Sequence, residues 1–424
     1  MGDQSAYDLD EAVRLLVDYE WVYNFKLIDF FVNRQWEHVP SEWLERLSAM
    51  TLDELKQLPR QVSLDEVLLP STLTSFFSRC RRLSCLRSSP ESDDALEVGT
   101  SRGSGGRRRC VKRKKLAQIH PLAKFIADQC RTTGCTTVVD VGCGLGHLAA
   151  LLAEEYHLRV MGVDCNTARC SKATRHYEEL PNGKVQFIQA NLSRAKCEET
   201  FHSILQGTRD DCAIVSLHGC GDLQPILLEL LASRSIPFLK LAILVGCCYH
   251  KVSQSLGNAV RLATSFPFPM SEKLKGCAKD VGRLMRPFGL RLAAQETADR
   301  WELQTPEKRM KHLCNNSFRA ILQKLIVDFR EYCRKALEGK DVAVDRARLL
   351  ETFQECLPFV DYVEPFALLQ VCMQGPLETF VLQDRLTYLS ERGLRAQLRP
   401  VFDAVVSPRN MAVVASVPEA AQTL

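Results

Sequence analysis

Thr137-Val138-Val139-Asp140-Val141-Gly142-Cys143-Gly144-Leu145-Gly146-His147 is the stretch whose reading decides the fold. A short β-branched run ends in Asp, three glycines follow at alternate positions, and an Ala/Leu-rich segment continues from Leu148 to Tyr156. That order reads as a strand, a tight loop and the N-terminus of a helix. Gly142, Gly144 and Gly146 let the backbone take positive φ and let a ligand approach main-chain N–H groups that a Cβ would shield. The stretch reads as a nucleotide-binding turn.

Spacing narrows the nucleotide. A dinucleotide fingerprint reads G-x-G-x-x-G and seats a pyrophosphate on the helix N-terminus. Here the third glycine comes one residue early, and Asp140 at the strand end would repel two phosphates. S-adenosylmethionine fits better, because its sulfonium and amino groups are cationic and only its carboxylate is anionic. Downstream, Leu158-Arg159-Val160-Met161-Gly162-Val163-Asp164 reads as the second strand. Its terminal Asp164 stands where doubly wound folds bind the ribose hydroxyls.

The alternation continues. Residues 119–129 read as a lead-in helix, 166–180 as a helix stopped by Pro181-Asn182-Gly183, and 184–189 as the third strand. Asn191 follows it, able to accept from an adenine amino group through its side-chain carbonyl. A fourth strand, 212–217, ends in His218-Gly219-Cys220-Gly221-Asp222, and a fifth, 239–245, in Gly246-Cys247-Cys248-Tyr249-His250. Both tips face a ligand site, since open parallel sheets bind beyond the carboxyl ends of their strands. His218, Asp222 and His250 are candidate general bases, with Tyr249 orienting the acceptor. Cys220, Cys247 and Cys248 with these histidines are also types that zinc prefers. Against a metal, there is no C-x₂-C, and adjacent cysteines on an extended chain point to opposite sides. The expected metal set is therefore none, and inert thiols are expected for most cysteines.

The chain has 424 residues, 46% of them hydrophobic, enough for one large domain and an accessory one. A net charge of +4 is too mild to argue for nucleic acid by itself. No apolar run approaches the roughly 20 residues of a membrane span. The N-terminus lacks a signal-peptide core, and its Met1-Gly2 start has Ala6 where a myristoylation site wants Ser or Thr. With 18 cysteines and no secretory signal, reduced thiols are expected, in an intracellular protein of the cytoplasm or nucleus.

The domain layout expected is a helical region over residues 1–85, where Ser41 is a candidate N-cap, and a disordered, partly basic linker over 86–115. The first part of the α/β core follows over 116–265, then a helical insertion over 266–376, which begins at Phe266-Pro267-Phe268-Pro269 and ends at Gly375-Pro376. A last helix and an antiparallel hairpin over 377–417 complete a seven-stranded Rossmann-like sheet, and a tail over 418–424 frays. Within the linker, Arg107-Arg108-Arg109-Cys110-Val111-Lys112-Arg113-Lys114-Lys115 is the strongest basic cluster. It reads equally as a nuclear import signal, a phosphate-gripping RNA patch or a solvated flank.

The chain resembles the methyltransferase-like 25 family, also called ribosomal-RNA-adenine-dimethylase-domain-containing proteins. The resemblance is carried by Val139 to Leu148, by Leu217-His218-Gly219-Cys220-Gly221-Asp222-Leu223 and by Val245-Gly246-Cys247-Cys248-Tyr249. It continues in Phe318-Arg319-Ala320, Asp384-Arg385-Leu386 and Ser407-Pro408-Arg409-Asn410. It implies a class I methyltransferase domain that uses S-adenosylmethionine, with a poorly defined substrate. The family's K-K-x-H-E segment is matched at Lys114 and Lys115, but Ala117 and Gln118 replace its His and Glu, so a non-catalytic, cofactor-binding interaction protein is the alternative reading. Adenine dimethylation is not inherited, because the tip from His218 to Asp222 is unlike the N/D-P-P-Y tip that presents a flipped base. A cousin family methylates ribose hydroxyls of transfer RNA, which keeps RNA slightly ahead of protein as acceptor by analogy.

Overall fold

The computed structural model describes residues 7–60, 68–85, 113–178, 180, 184–251, 268–277, 284–338 and 346–418. The linker 86–106, the basic run from Arg107 to Lys112, the Pro181-Asn182-Gly183 stop, the Phe266-Pro267 start of the insertion and the tail from Glu419 lie outside the described residues. The chain divides into two compact units, Met1–Cys85 with Asp280–Phe380, and Leu86–Lys279 with Val381–Leu424.

The second unit is built on seven strands: β1 Thr137–Val141, β2 Arg159–Asp164, β3 Val185–Gln189, β4 Cys212–Ser216, β5 Leu239–Val245, β6 Arg395–Pro400 and β7 Met411–Ser416. Their order is β3-β2-β1-β4-β5-β7-β6. The first five are parallel, and β7 runs antiparallel to both β5 and β6. Every residue of β1 and β4 is buried, as the unbroken runs Thr-Val-Val-Asp-Val and Cys-Ala-Ile-Val-Ser require of strands covered on both faces. β6 alternates between exposed and half-buried, and Arg395, Arg399 and Pro400 guard this outer edge against pairing.

Helices Arg113–Thr133, His147–Glu155, Thr167–His176 and Leu223–Ser233 cover the sheet. Ile126, Leu148 and Leu152 pack with Val138, Val160, Val215 and Ile243 in one apolar core, each fully buried side chain of this size contributing about 1.5–3 kcal/mol. The lead-in helix starts at Arg113, six residues earlier than its apolar pattern predicts, so Lys115 sits on a helix rather than in a linker. The chain doubles back between β1 and β4, whose strands lie side by side with Asp140 level with Val215. That is the topological switch point of the sheet.

The first unit is helical, with Tyr23, Trp43, Phe76 and Trp301 buried. Thr51 and Glu54 form a capping box on helix Leu52–Gln57. Ser41 is the first helical residue rather than the cap, and Pro40 takes the cap position without a side-chain bond. Helix Val363–Ser390 runs straight through the expected boundary at Gly375-Pro376. Pro376 removes one ladder N–H, and Thr379 Oγ1 bonds the Gly375 carbonyl at 2.9 Å one turn beyond. One stretch of the described residues, Leu349–Ser390, is long and apolar enough to span a membrane by length and composition, contrary to the expectation of no such run. In its most apolar window 67% is buried within the protein, as a helix apolar all round should be.

Candidate active site

A cavity of about 850 Å³ opens at the switch point. Asp140, Gly142, Gly144, Asp164, Asn191, His218 and Asp222 all line it. Gly146, Tyr249 and His250 are not on its wall.

Asp140 is 2% exposed, and its Oδ2 has no hydrogen-bond partner among the described residues. Burial pushes its carboxyl up to about 7; the Lys115 ammonium opposes the shift and Asp164 adds to it. Lys115, on the same cavity wall, is held below the usual lysine range by burial, against the attraction of Asp140 and Cys143. Sequence pattern alone puts Lys115 in a basic run that reads equally as an import signal, an RNA patch or a solvated flank. The structure instead turns it to the strand tip, and the signal for this is the Lys114-Lys115 match in the family resemblance.

Asp164 is oriented by two backbone donors: Gly144 N–H to Oδ2 at 3.0 Å and Asn166 N–H to Oδ1 at 2.9 Å. A carboxylate has about four lone-pair sites, so both oxygens keep capacity for further donors. The glycine loop differs from expectation. The N–H groups of Gly142 and Cys143 bond the Val163 carbonyl, that of Gly144 bonds Asp164, and that of Gly146 bonds Cys143. Those of Gly142, Cys143 and Gly144 knit the loop to β2, and that of Gly146 closes the loop on itself. Gly146 has φ +74°, and a Cβ there would stand 2.3 Å from the ring of Phe187. Its lack of a side chain serves packing behind the loop.

His218 opens onto the cavity, and desolvation by the enclosing walls, then Lys115, hold its imidazole below the usual range. It is therefore an unprotonated base at neutral pH. Asp222 stands at the cap of helix Leu223–Ser233. Tyr249 is 2% exposed, its ring lying 5.1 Å from the guanidinium of Arg385, and its hydroxyl stands 3.5 Å from the Gly246 carbonyl. Tyr249, expected to orient the acceptor, thus packs beside the β5 tip and off this cavity's wall. It props Arg385, which bonds Gln224 Oε1, while Gln224 Nε2 donates to the Leu244 carbonyl at 2.8 Å.

Asp384, beside Arg385, accepts from Met270 N at 2.6 Å, Ser271 N at 2.9 Å and Ser271 Oγ at 2.6 Å. The Asp384-Arg385 motif thus braces the segment after β5 and the β4 and β5 tips. Asn410, in the other distant motif, donates to the Phe402 carbonyl at 2.9 Å inside the β6–β7 connection.

The β4 and β5 tips interlock. Gly219 N–H bonds the Val245 carbonyl at 2.9 Å, and Gly221 N–H bonds the Cys248 carbonyl at 3.3 Å. Gly221 has φ +59°, and a Cβ there would come within 2.5 Å of the Lys251 carbonyl oxygen, so a glycine is required for the loops to close. Cys247 and Cys248 lie beyond the end of β5, outside the paired strand, and their sulfurs are 3.6 Å apart. The expectation that adjacent cysteines point to opposite sides fails here for that reason. The described cysteines are free thiols.

Residues 114–255 match a family model described as a methyltransferase domain, a span that contains every cavity residue named above. The chain is 30% identical over 280 residues to the probable methyltransferase-like protein 25 of Mus musculus, an alignment covering 59% of this chain and 43% of that one. The Homo sapiens protein of the same name is 31% identical over 247 residues, covering 51% and 39%. The chain thus spans less than half the length of these curated relatives. The structure of the plantazolicin methyltransferase BpumL in complex with SAH aligns over 49% of this chain and 62% of its own, at 16% identity and a TM-score of 0.25. Residues 114–255 are thus similar to a methyltransferase domain, and the resemblance read from the motifs is to the same family as these relatives.

Proposed function

We propose that the chain is an S-adenosylmethionine-dependent methyltransferase whose cofactor binds in the switch-point cavity. The observation that carries this is the buried Oδ2 of Asp140, without a hydrogen-bond partner among the described residues, on the wall of a cavity that also presents Asp164. A buried carboxylate oxygen without a donor is costly, and an ammonium group satisfies it. The fit extends to the rest of the wall. Asp164 has lone pairs left for the ribose hydroxyls, Asn191 can accept from the adenine amino group, and Lys115 offers a cation to the carboxylate. Bound there, the cofactor would supply an electrophilic methyl group on a sulfonium.

His218 accepts the acceptor's proton on an imidazole nitrogen as the acceptor is alkylated, and Asp222 lines the same wall. Alignment of acceptor and methyl group supplies much of the rate, on the order of several kcal/mol. Of the acceptor classes, RNA suits the basic run from Arg107 to Lys114 best. Incubation with radiolabelled S-adenosylmethionine and a cell extract tests the reading. Label is expected in the RNA fraction, and His218→Ala should lower it by about 10²-fold or more. Label in protein would reassign the acceptor. Cofactor binding without label in any fraction would favour the non-catalytic alternative that Ala117 and Gln118 suggest.

A further inference from the structure

The interlocked β4 and β5 tips bring three thiols together that the proposed transfer reaction does not use. Cys220 Sγ lies 2.7 Å from Cys247 Sγ, Cys247 Sγ lies 3.6 Å from Cys248 Sγ, and all three sulfurs fall within 4.8 Å of one another. All three are half-buried. The backbone holds them there: Gly219 N–H to the Val245 carbonyl and Gly221 N–H to the Cys248 carbonyl fix one loop on the other, and Lys251 N–H to the Cys248 carbonyl at 3.1 Å tightens the loop after β5. Two loops zipped in this way have already given up the freedom that assembling a ligand set would otherwise remove.

We propose that Cys220, Cys247 and Cys248 form a binding site for one soft divalent cation of the zinc type. Three convergent sulfur donors select such a cation over magnesium or calcium, which prefer oxygen. At a zinc–sulfur bond of about 2.3 Å, tetrahedral geometry sets the sulfurs about 3.8 Å apart. The Cys247–Cys248 pair already stands near that spacing at 3.6 Å. The Cys220–Cys247 pair must open by roughly 1 Å, which rotation about their side-chain bonds provides. Binding converts three thiols to thiolates, releases three protons to solvent and forms three metal–sulfur bonds, with no change of oxidation state. A water takes the fourth position, the pattern of zinc sites with three protein ligands. Cys220 lines the cavity between His218 and Asp222, so the site borders the face proposed for the acceptor. The cation site does not depend on the identity of the methyl donor or of the acceptor.

The test uses the full chain, purified with reductant and without chelator, and titrated with Co²⁺ and then Zn²⁺. One Co²⁺ per chain is expected, with thiolate-to-cobalt charge-transfer absorption in the near ultraviolet that Zn²⁺ abolishes. Cys220→Ser, Cys247→Ser and Cys248→Ser should each lose that band, and the exposed controls Cys165→Ser and Cys314→Ser should keep it. Since a variant can lose the band by misfolding, alkylation of the wild type provides a second measurement. Zn²⁺ should protect these three cysteines, mapped by peptide mass, and leave Cys165 and Cys314 reactive. No saturable binding, a band that survives in any of the three variants, no protection of the three thiols, or a Cys220–Cys247 disulfide in place of a metal would overturn the proposal.

Discussion

Lys115 and Asp140 share one wall of the switch-point cavity, and each perturbs the other. Burial works to neutralise both, and their attraction works to keep both charged. The pair thus carries a charge balance that a zwitterionic amino-acid end of a ligand can complete.

Lys115→Met therefore removes the cation that holds the Asp140 pKa down. Affinity for S-adenosylmethionine at pH 7 should fall by about tenfold, the equivalent of one pKa unit of missing compensation. The pH dependence of binding should move to higher pH. Calorimetry across pH 6–9 checks both, and an unchanged profile would mean that Lys115 does not act on Asp140.

The ligand-free protein should lose stability as pH rises. Folded Asp140 keeps its proton up to about pH 7, whereas in the unfolded chain it releases it near 3.9. Between these values the native state binds more protons, so unfolding free energy falls with rising pH, by on the order of a few kcal/mol in total. Asp140→Asn should flatten this slope and raise the melting temperature of the ligand-free protein at pH 8. Thermal melts at pH 5 and pH 8 provide the comparison, and parallel slopes in wild type and variant would contradict it.

Tyr249→Phe should leave turnover within about twofold, because the side chain is 2% exposed and lies off the cavity wall. Tyr249→Ala instead empties the space beneath Arg385 and should cost about 3–5 kcal/mol of stability. Urea melts alongside activity measurements distinguish the two. A large loss of turnover in Tyr249→Phe at unchanged stability would restore this residue to the chemistry.

Replacing Arg107, Arg108, Arg109 and Lys112 by Gln should weaken RNA binding and flatten its salt dependence, by about 0.7 in the log–log slope for each single-strand phosphate that no longer meets a cation. Lys115 is left intact, so cofactor affinity should not change. Salt titrations of RNA binding test this. Binding that is insensitive to salt in the wild type would remove RNA from consideration.

The sheet was legible in the sequence because β1, β4 and β5 are short, apolar, buried runs, each followed directly by a glycine-bearing turn. Asp140 and Asp164 stand out in the sequence as charges at the carboxyl ends of apolar runs, and both line the cavity. What the sequence could not reveal is which loop atoms face inward. The glycine loop's N–H groups turn back onto Val163 and Asp164, a matter of dihedral angles rather than residue type. Tyr249 shares its tip with candidate bases, yet its neighbour is Arg385, 136 positions away in sequence, and no local pattern encodes that pairing. Convergence of the Cys247 and Cys248 sulfurs depends on the chain leaving the strand after Val245, a boundary that strand periodicity fixes only within a few residues.

The most direct measurement of the central claim is calorimetric binding of S-adenosylmethionine to the purified chain, beside Asp140→Asn and Asp164→Asn. The account predicts micromolar binding at one site per chain, abolished by either substitution, while Asp140→Asn folds and is more stable than the wild type at pH 8. Absence of binding to the folded wild type, or full affinity in the Asp140→Asn variant, would contradict it.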